Sequence, residues 1–160
     1  MLSVDILRET WETVITSHKD GIAFLSRWSE VLDTDTDEAH PKVLWKPPTI
    51  TLNPEGYGIT QAFTVDVLFL DTTAADRSTD TRDTTYERMA VLAVQCLARY
   101  RELYVQEDAI YQGVNLSMTQ DGPAQLQAIW DNAGEMTTGC RLTVTFTDPY
   151  QFCASDAFNV

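Results

Sequence analysis

Over residues 140–147 the apolar Cys140, Leu142, Val144 and Phe146 alternate with Arg141, Thr143, Thr145 and Thr147. A period of two belongs to a β strand with one face buried and one in water, so the chain must build a sheet and cover one side of it. Asp148-Pro149 is expected to break this strand, because proline cannot donate to a sheet ladder. Tyr150-Gln151-Phe152-Cys153-Ala154 then reads as a short tail.

At 160 residues the sequence fits one domain that buries roughly two thirds of its unfolded surface and folds without staples. The three cysteines are odd in number and widely spaced. Cys96 sits on an apolar helical face and Cys140 on the apolar face of the strand, as expected of buried thiols acting as small hydrophobes. His18 and His40 are the only histidines, and no paired Cys-x-x-Cys spacing can be assembled, so no metal is expected. The first residues lack a basic start followed by an apolar core, and no stretch approaches the roughly 20 apolar residues needed to span a bilayer. The expectation is a soluble protein made in a cytoplasm, with no membrane partner.

Charge narrows the partners further. The 24 acidic residues against 11 basic ones give a net charge of −13, with no dense Lys/Arg run to grip phosphates. Nucleic acid held through its backbone is therefore excluded. Simple solubility accounts for such a surface, and so does a wall that DNA slides past.

The helical signals are two. Ser3 is placed to cap a helix with Asp5 in its first turn, and Val4, Leu7, Trp11, Val14 and Ile15 recur at helical spacing as far as about Ser17, before Asp20-Gly21. Farther on, Thr84 with Glu87 makes a capping box, and Met89, Leu92, Ala93, Cys96, Tyr100 and Leu103 trace the face of a second helix. Between the helices lie an irregular extended segment through Ile22, Phe24 and Trp28, and an acidic loop, Asp33 to Glu38. A short strand, Lys42 to Lys46, is expected to stop at Pro47-Pro48. The turn sequence Asn53-Pro54-Glu55-Gly56-Tyr57-Gly58 then leads into a strand from Ile59 to Leu70. Residues 71–83, nearly all Asp, Thr, Ala, Ser or Arg, read as a flexible connection of about a dozen residues. Tyr111 to Met118 reads as another strand, and Leu126, Ile129 and Trp130 as a short strand or helical turn. The fold class is α+β: an antiparallel or mixed sheet of four to five strands with two main helices on one face.

The strand from Gln61 to Asp71, followed by Asp76-Arg77-Ser78 and a long helix, and the last strand ending in Asp-Pro-Tyr and a cysteine, together resemble the tail-terminator or tail-completion proteins of long-tailed viruses. The resemblance implies an N-terminal helix, an extended strand ending in an Asp-rich loop, a second helix opening on a charged turn, and a final strand. It also implies a six-fold ring of identical subunits at the head-proximal end of a tail. The ring's partners would be further copies of itself, the tail-tube protein and neck or connector proteins, in a virion assembled in the host cytoplasm.

No catalytic pattern competes with that expectation. His18 and His40 have no Ser or Cys elbow beside them, and the seven glycines form no phosphate loop. Asp33, Asp35 and Asp37 alternate as in a calcium loop, but Glu38 and Leu44 stand where Gly and Glu are needed. The chain is expected to be a non-enzymatic protein without cofactor or metal. Its candidate lumen or partner loops carry Asp33, Asp35, Asp37, Glu38, Asp71, Asp76, Asp80 and Asp83, past which DNA would move without specific binding. Trp28, Trp130, Phe152 and Phe158 are the candidate interface residues, whereas Trp11 and Trp45 read as core. A tail-tube or connector subunit, a cytoplasmic protein-binding module and a carboxylate hydrolase are the alternatives.

Overall fold

The computed structural model describes residues 1–25, 41–72, 79–129, 137–154 and 157. Helix α1 spans Val4–Thr16, opened by the Ser3 hydroxyl accepting from the Ile6 amide. Strands β1 (Ala23–Leu25), β2 (Lys42–Glu55) and β3 (Gly58–Thr72) follow, then helix α2 (Thr79–Tyr104). Short strands β4 (Ile110–Tyr111), β5 (Val114–Asn115), β6 (Thr119–Gln120) and β7 (Gln125–Ile129) lead to the long closing strand β8 (Thr137–Phe152). The class is α+β, as the sequence indicates, with a mixed six-stranded sheet ordered β1-β2-β3-β8-β6, in which β7 also pairs with β8. Pairing is antiparallel except between β1 and β2.

One face of the sheet carries the core. Val43 and Trp45 on β2, Phe63, Val65, Val67 and Phe69 on β3, and Cys140, Leu142, Val144 and Phe146 on β8 are all buried, and both helices lay their apolar stripes over them. From α1 come Leu7, Trp11, Val14 and Ile15; from α2 come Met89, Leu92, Ala93, Cys96 and Tyr100. Trp11 stacks on Tyr100 with ring centroids 4.3 Å apart, and Phe146 tilts against both rings. The opposite face is polar at its centre, where Thr64 and Thr145 share a 3.0 Å hydrogen bond and Thr143 donates to Asp66 at 2.6 Å, and is flanked by buried Ala62, Leu68 and Leu70 of β3.

Several sequence expectations change. Strand β2 does not stop at Pro47-Pro48; it runs on to Glu55, with a register shift between Lys46 and Thr49. Proline is tolerated there because β1 reaches only Leu44 and the shift relieves the ladder of a donor. Strand β8 likewise passes through Pro149 at an irregularity, where Gln61 faces Asp148 but Ile59 faces Phe152. The buried Asp148 carboxylate fixes that passage, accepting from the Leu2 amide at 2.8 Å and the Tyr150 amide at 3.0 Å.

The connection expected over 71–83 shrinks from both ends. Strand β3 includes Asp71 and Thr72, and α2 begins at Thr79, so Thr84 and Glu87 lie inside the helix and form no N-terminal capping box. Helix α2 therefore opens five residues ahead of Thr84. The strand expected from Tyr111 to Met118 is instead a small ribbon, β4 and β5, turning through left-handed Gln112 and Gly113, with Ser117 also left-handed before β6. Leu126 and Ile129 belong to a strand, β7.

Candidate interaction surface

The sheet outgrows its helices. Beyond the register shift in β2 the pairs are Ile50 with Phe63, Leu52 with Gln61 and Pro54 with Ile59. Cross-strand partners share a face, so the extra residue at Pro47-Pro48 turns Ile50 and Leu52 onto the side where Phe63 is buried. Ahead of the shift, Val43 and Trp45 hold that side. Past Phe63 neither helix covers it: Ile50 is 42% exposed, Leu52 59%, Ile59 43% and Tyr150 43%. Phe152, opposite Ile59 and half-buried, receives the Tyr150 ring edge-on at 4.9 Å.

This overhang has three strands: residues 49–55 of β2, 58–63 of β3 and 147–152 of β8. Its tip is a tight hairpin in which Glu55 faces Gly58, Gly56 adopts φ +61°, and Tyr57 is fully exposed. Glycine suits that left-handed position because no Cβ opposes it. The Gln151 side chain donates to the Glu55 carbonyl and packs on Gly58, tying β8 to the tip. Among the described residues the outer edges of β2 beyond Thr49 and of β8 beyond Asp148 have no strand partner.

Its composition is as unusual as its exposure. Glu55 is the only charged residue from Thr49 to Thr64, and residues 149–154 carry none, in a chain of net charge −13. A long, open-edged, apolar strand pair is a known liability that proteins blunt with charge. Here the charge is withheld, as at a contact surface.

Of the residues expected to form interfaces, Phe152 lies on this surface. Trp28, Trp130 and Phe158 fall outside the described residues, as do Asp33, Asp35, Asp37, Glu38 and Asp76. Asp71, expected in an acidic loop, is a strand residue that accepts from Arg88 of α2 with its side chain only 14% exposed. Asp80 and Asp83 belong to the opening of α2, where Asp83 is exposed. Ile50, Leu52, Ile59 and Tyr150 escaped sequence reasoning. Apolar alternation at Ile50 and Leu52 was the available signal, hidden by two prolines that read as a stop.

Other surfaces offer less chemistry. A cleft of about 420 Å³ between the end of α2 and β6 is lined by Arg101, Glu107, Met118 and Gln120, but the Arg101 guanidinium is engaged by Gln120. His18 is half-buried and bonded to Gln95 at 2.8 Å. Burial pushes the Cys96 and Cys140 thiols up to about 12, which suits packing and not nucleophilic attack. Among the described residues no three His, Cys, Asp or Glu side chains cluster as a metal would require, and no helix is long and apolar enough to cross a membrane. No protein-family model matches the chain, and no curated protein matches it in sequence.

Proposed function

We propose that this chain is a structural virion protein, forming a six-fold ring at the head-proximal end of a viral tail, where it ends growth of the tail tube and joins the tube to the neck. The observation that supports this reading is the overhang: three strands whose apolar face lacks helical cover and whose flanks lack charge. A subunit that acts alone gains nothing from such a surface and risks aggregation. A ring subunit needs one, because each neighbour must be held by a contact that excludes water.

The remaining acidity fits the same setting. A lumen carrying many carboxylates repels DNA over about 8 to 10 Å at physiological salt, so the genome passes without adhering. Asp33, Asp35, Asp37 and Glu38 are assigned to that wall by composition alone. Neutralising all four while measuring DNA retention and ejection tests the assignment, and unchanged behaviour removes it.

The assembly itself is tested by light scattering on the purified protein over a range of concentrations and salt, followed by electron microscopy. A single closed ring is expected. Long tubes would make the chain a tube subunit, and a strict monomer at all concentrations would favour a binding module that orders around a different protein.

A further inference from the structure

We infer that two copies of the chain join along the outer edge of β2, antiparallel about a two-fold axis at Thr51, so that two overhangs become one continuous sheet. The backbone of the hairpin sets this edge. A two-residue turn closes on a hydrogen-bonded pair, here Glu55 with Gly58, and such pairs recur at every second position, giving Asn53 with Thr60 and Thr51 with Ala62. Two contacts agree with that alternation. The Asn53 carbonyl accepts from the Thr60 hydroxyl, and the Thr145 carbonyl, opposite Thr64, points away from β3 and accepts from the Asp121 amide. The amides and carbonyls of Ile50 and Leu52 therefore point out of the sheet, with no strand partner among the described residues.

A row of outward backbone groups is satisfied by another extended backbone. Pro48 and Pro54 bound the row, since neither can donate, so a longer foreign strand finds donors at Ile50 and Leu52 and then none. A second copy carries the same short window. With Ile50 opposite Leu52 of the partner subunit, and the converse across the axis, each of these residues uses both its donor and its acceptor, and proline faces proline. Charge selects the direction. Glu55 is the only charged residue from Thr49 to Thr64; antiparallel strands hold the two Glu55 residues about 27 Å apart, beyond the screening length of about 8 Å, whereas parallel strands set them side by side. The outer edge of β8 is closed to the same use, because Pro149 has no amide hydrogen and Asp148 holds the Tyr150 amide. Like edges meet, so the contact is isologous and stops at two copies. It goes beyond the ring reading and does not rest on it: the pair uses the edge and leaves the apolar face uncovered.

Disulfide trapping decides it. In this register the two Thr51 residues form a non-hydrogen-bonded pair with Cα atoms about 4.5 Å apart, within disulfide range, while the two Asn53 residues stand about 14 Å apart. Thr51→Cys chains oxidised with diamide should link to one another and Asn53→Cys chains should not, with the unaltered chain as control for Cys153. In parallel, Leu52→Pro removes an outward donor and leaves the ladder to β3 intact. It should stay folded by circular dichroism and raise the concentration of half-dimer at least tenfold in sedimentation. Absence of the Thr51→Cys link, or equal linking through Asn53→Cys, overturns the pairing, and so does a folded Leu52→Pro chain that dimerises like the unaltered one. A ring-sized particle without the Thr51→Cys link keeps the ring and overturns the pair. Linked dimers that never grow larger keep the pair and overturn the ring, and an unaltered chain that stays monomeric at every concentration overturns the pair.

Discussion

Trp11 and Tyr100 show how unequal the contributions of two touching residues are. Trp11 is fully buried, stacked on Tyr100 and tilted against Phe146, so Trp11→Ala opens a large cavity and should cost about 3–5 kcal/mol. The Tyr100 hydroxyl meets Thr10 Oγ1 at 3.0 Å and donates to Met118 Sδ at 3.8 Å. Tyr100→Phe should cost only about 0.5–1.5 kcal/mol, because Thr10 still donates to the Ile6 or Leu7 carbonyl. Urea unfolding of the two variants checks the ordering. The buried thiols give a second residue-scale test. Below pH 9.0 both folded and unfolded chains keep the Cys96 and Cys140 protons; above it the unfolded chain releases protons that the fold retains up to about 12. Stability should therefore fall as pH rises through that window, by about 1.4 kcal/mol per pH unit for each thiol. Burial raises Tyr100 as well, adding to the loss above its ordinary value. Denaturant midpoints from pH 8 to pH 10.5 measure the slope, and Cys140→Ala should flatten it.

At the scale of elements, the two prolines of β2 stand opposite the single residue Val65. Deleting Pro48 removes the extra residue, so Pro47 alone faces Val65 and the pairs Thr49 with Thr64 and Ile50 with Phe63 follow one for one. Ile50 and Leu52 should then keep the side of Phe63, with Val43 and Trp45 in their places, because regular alternation from Trp45 leads to the same face. The expected result is a chain whose near-ultraviolet dichroism persists and whose sedimentation matches that of the unaltered chain; changed sedimentation would show that the bulge itself shapes the overhang. The same prolines explain what the sequence conceals. Long periodic runs were legible: the stripe from Leu7 to Ile15, the face from Met89 to Tyr100 and the alternation from Cys140 to Phe146 all stand as read, because burial repeats with the period of the element. Pro47-Pro48 and Asp148-Pro149 read as stops, yet a proline at an edge or bulge leaves the strand direction intact. The start of α2 was misplaced for a related reason, since Thr84 and Glu87 have capping chemistry wherever they occur, and backbone placement decides whether it is used. Of the candidate surface only Phe152 was legible. Exposure of Ile50 and Leu52 depends on where the helices end over the sheet, which no local pattern encodes.

For the whole molecule the competing quantities are apolar contact and net charge. Copies carrying −13 each repel one another, and the repulsion is screened within about 8 Å at 0.15 M salt and about 3 Å at 1 M. The proposed association through the apolar residues of the overhang should therefore strengthen as sodium chloride rises, opposite to the response of an assembly held by ion pairs. Light scattering at fixed protein concentration from low to high salt measures this, and weakening with salt would place the contact on charged surfaces instead. Ile50→Asp with Leu52→Asp should abolish association at every salt while shifting the thermal midpoint little, since both side chains already face water in the single chain.

The register shift at Pro47-Pro48 also separates two kinds of inheritance. Residues before it answer to the chain's own folding, through Val43 and Trp45 against the helices; under the proposed function, residues after it answer to the neighbour they meet. A lineage could therefore exchange Ile50, Leu52, Ile59 or Tyr150 to match a changing companion without renegotiating the interior, so sequence drift should run at two different rates along one unbroken strand.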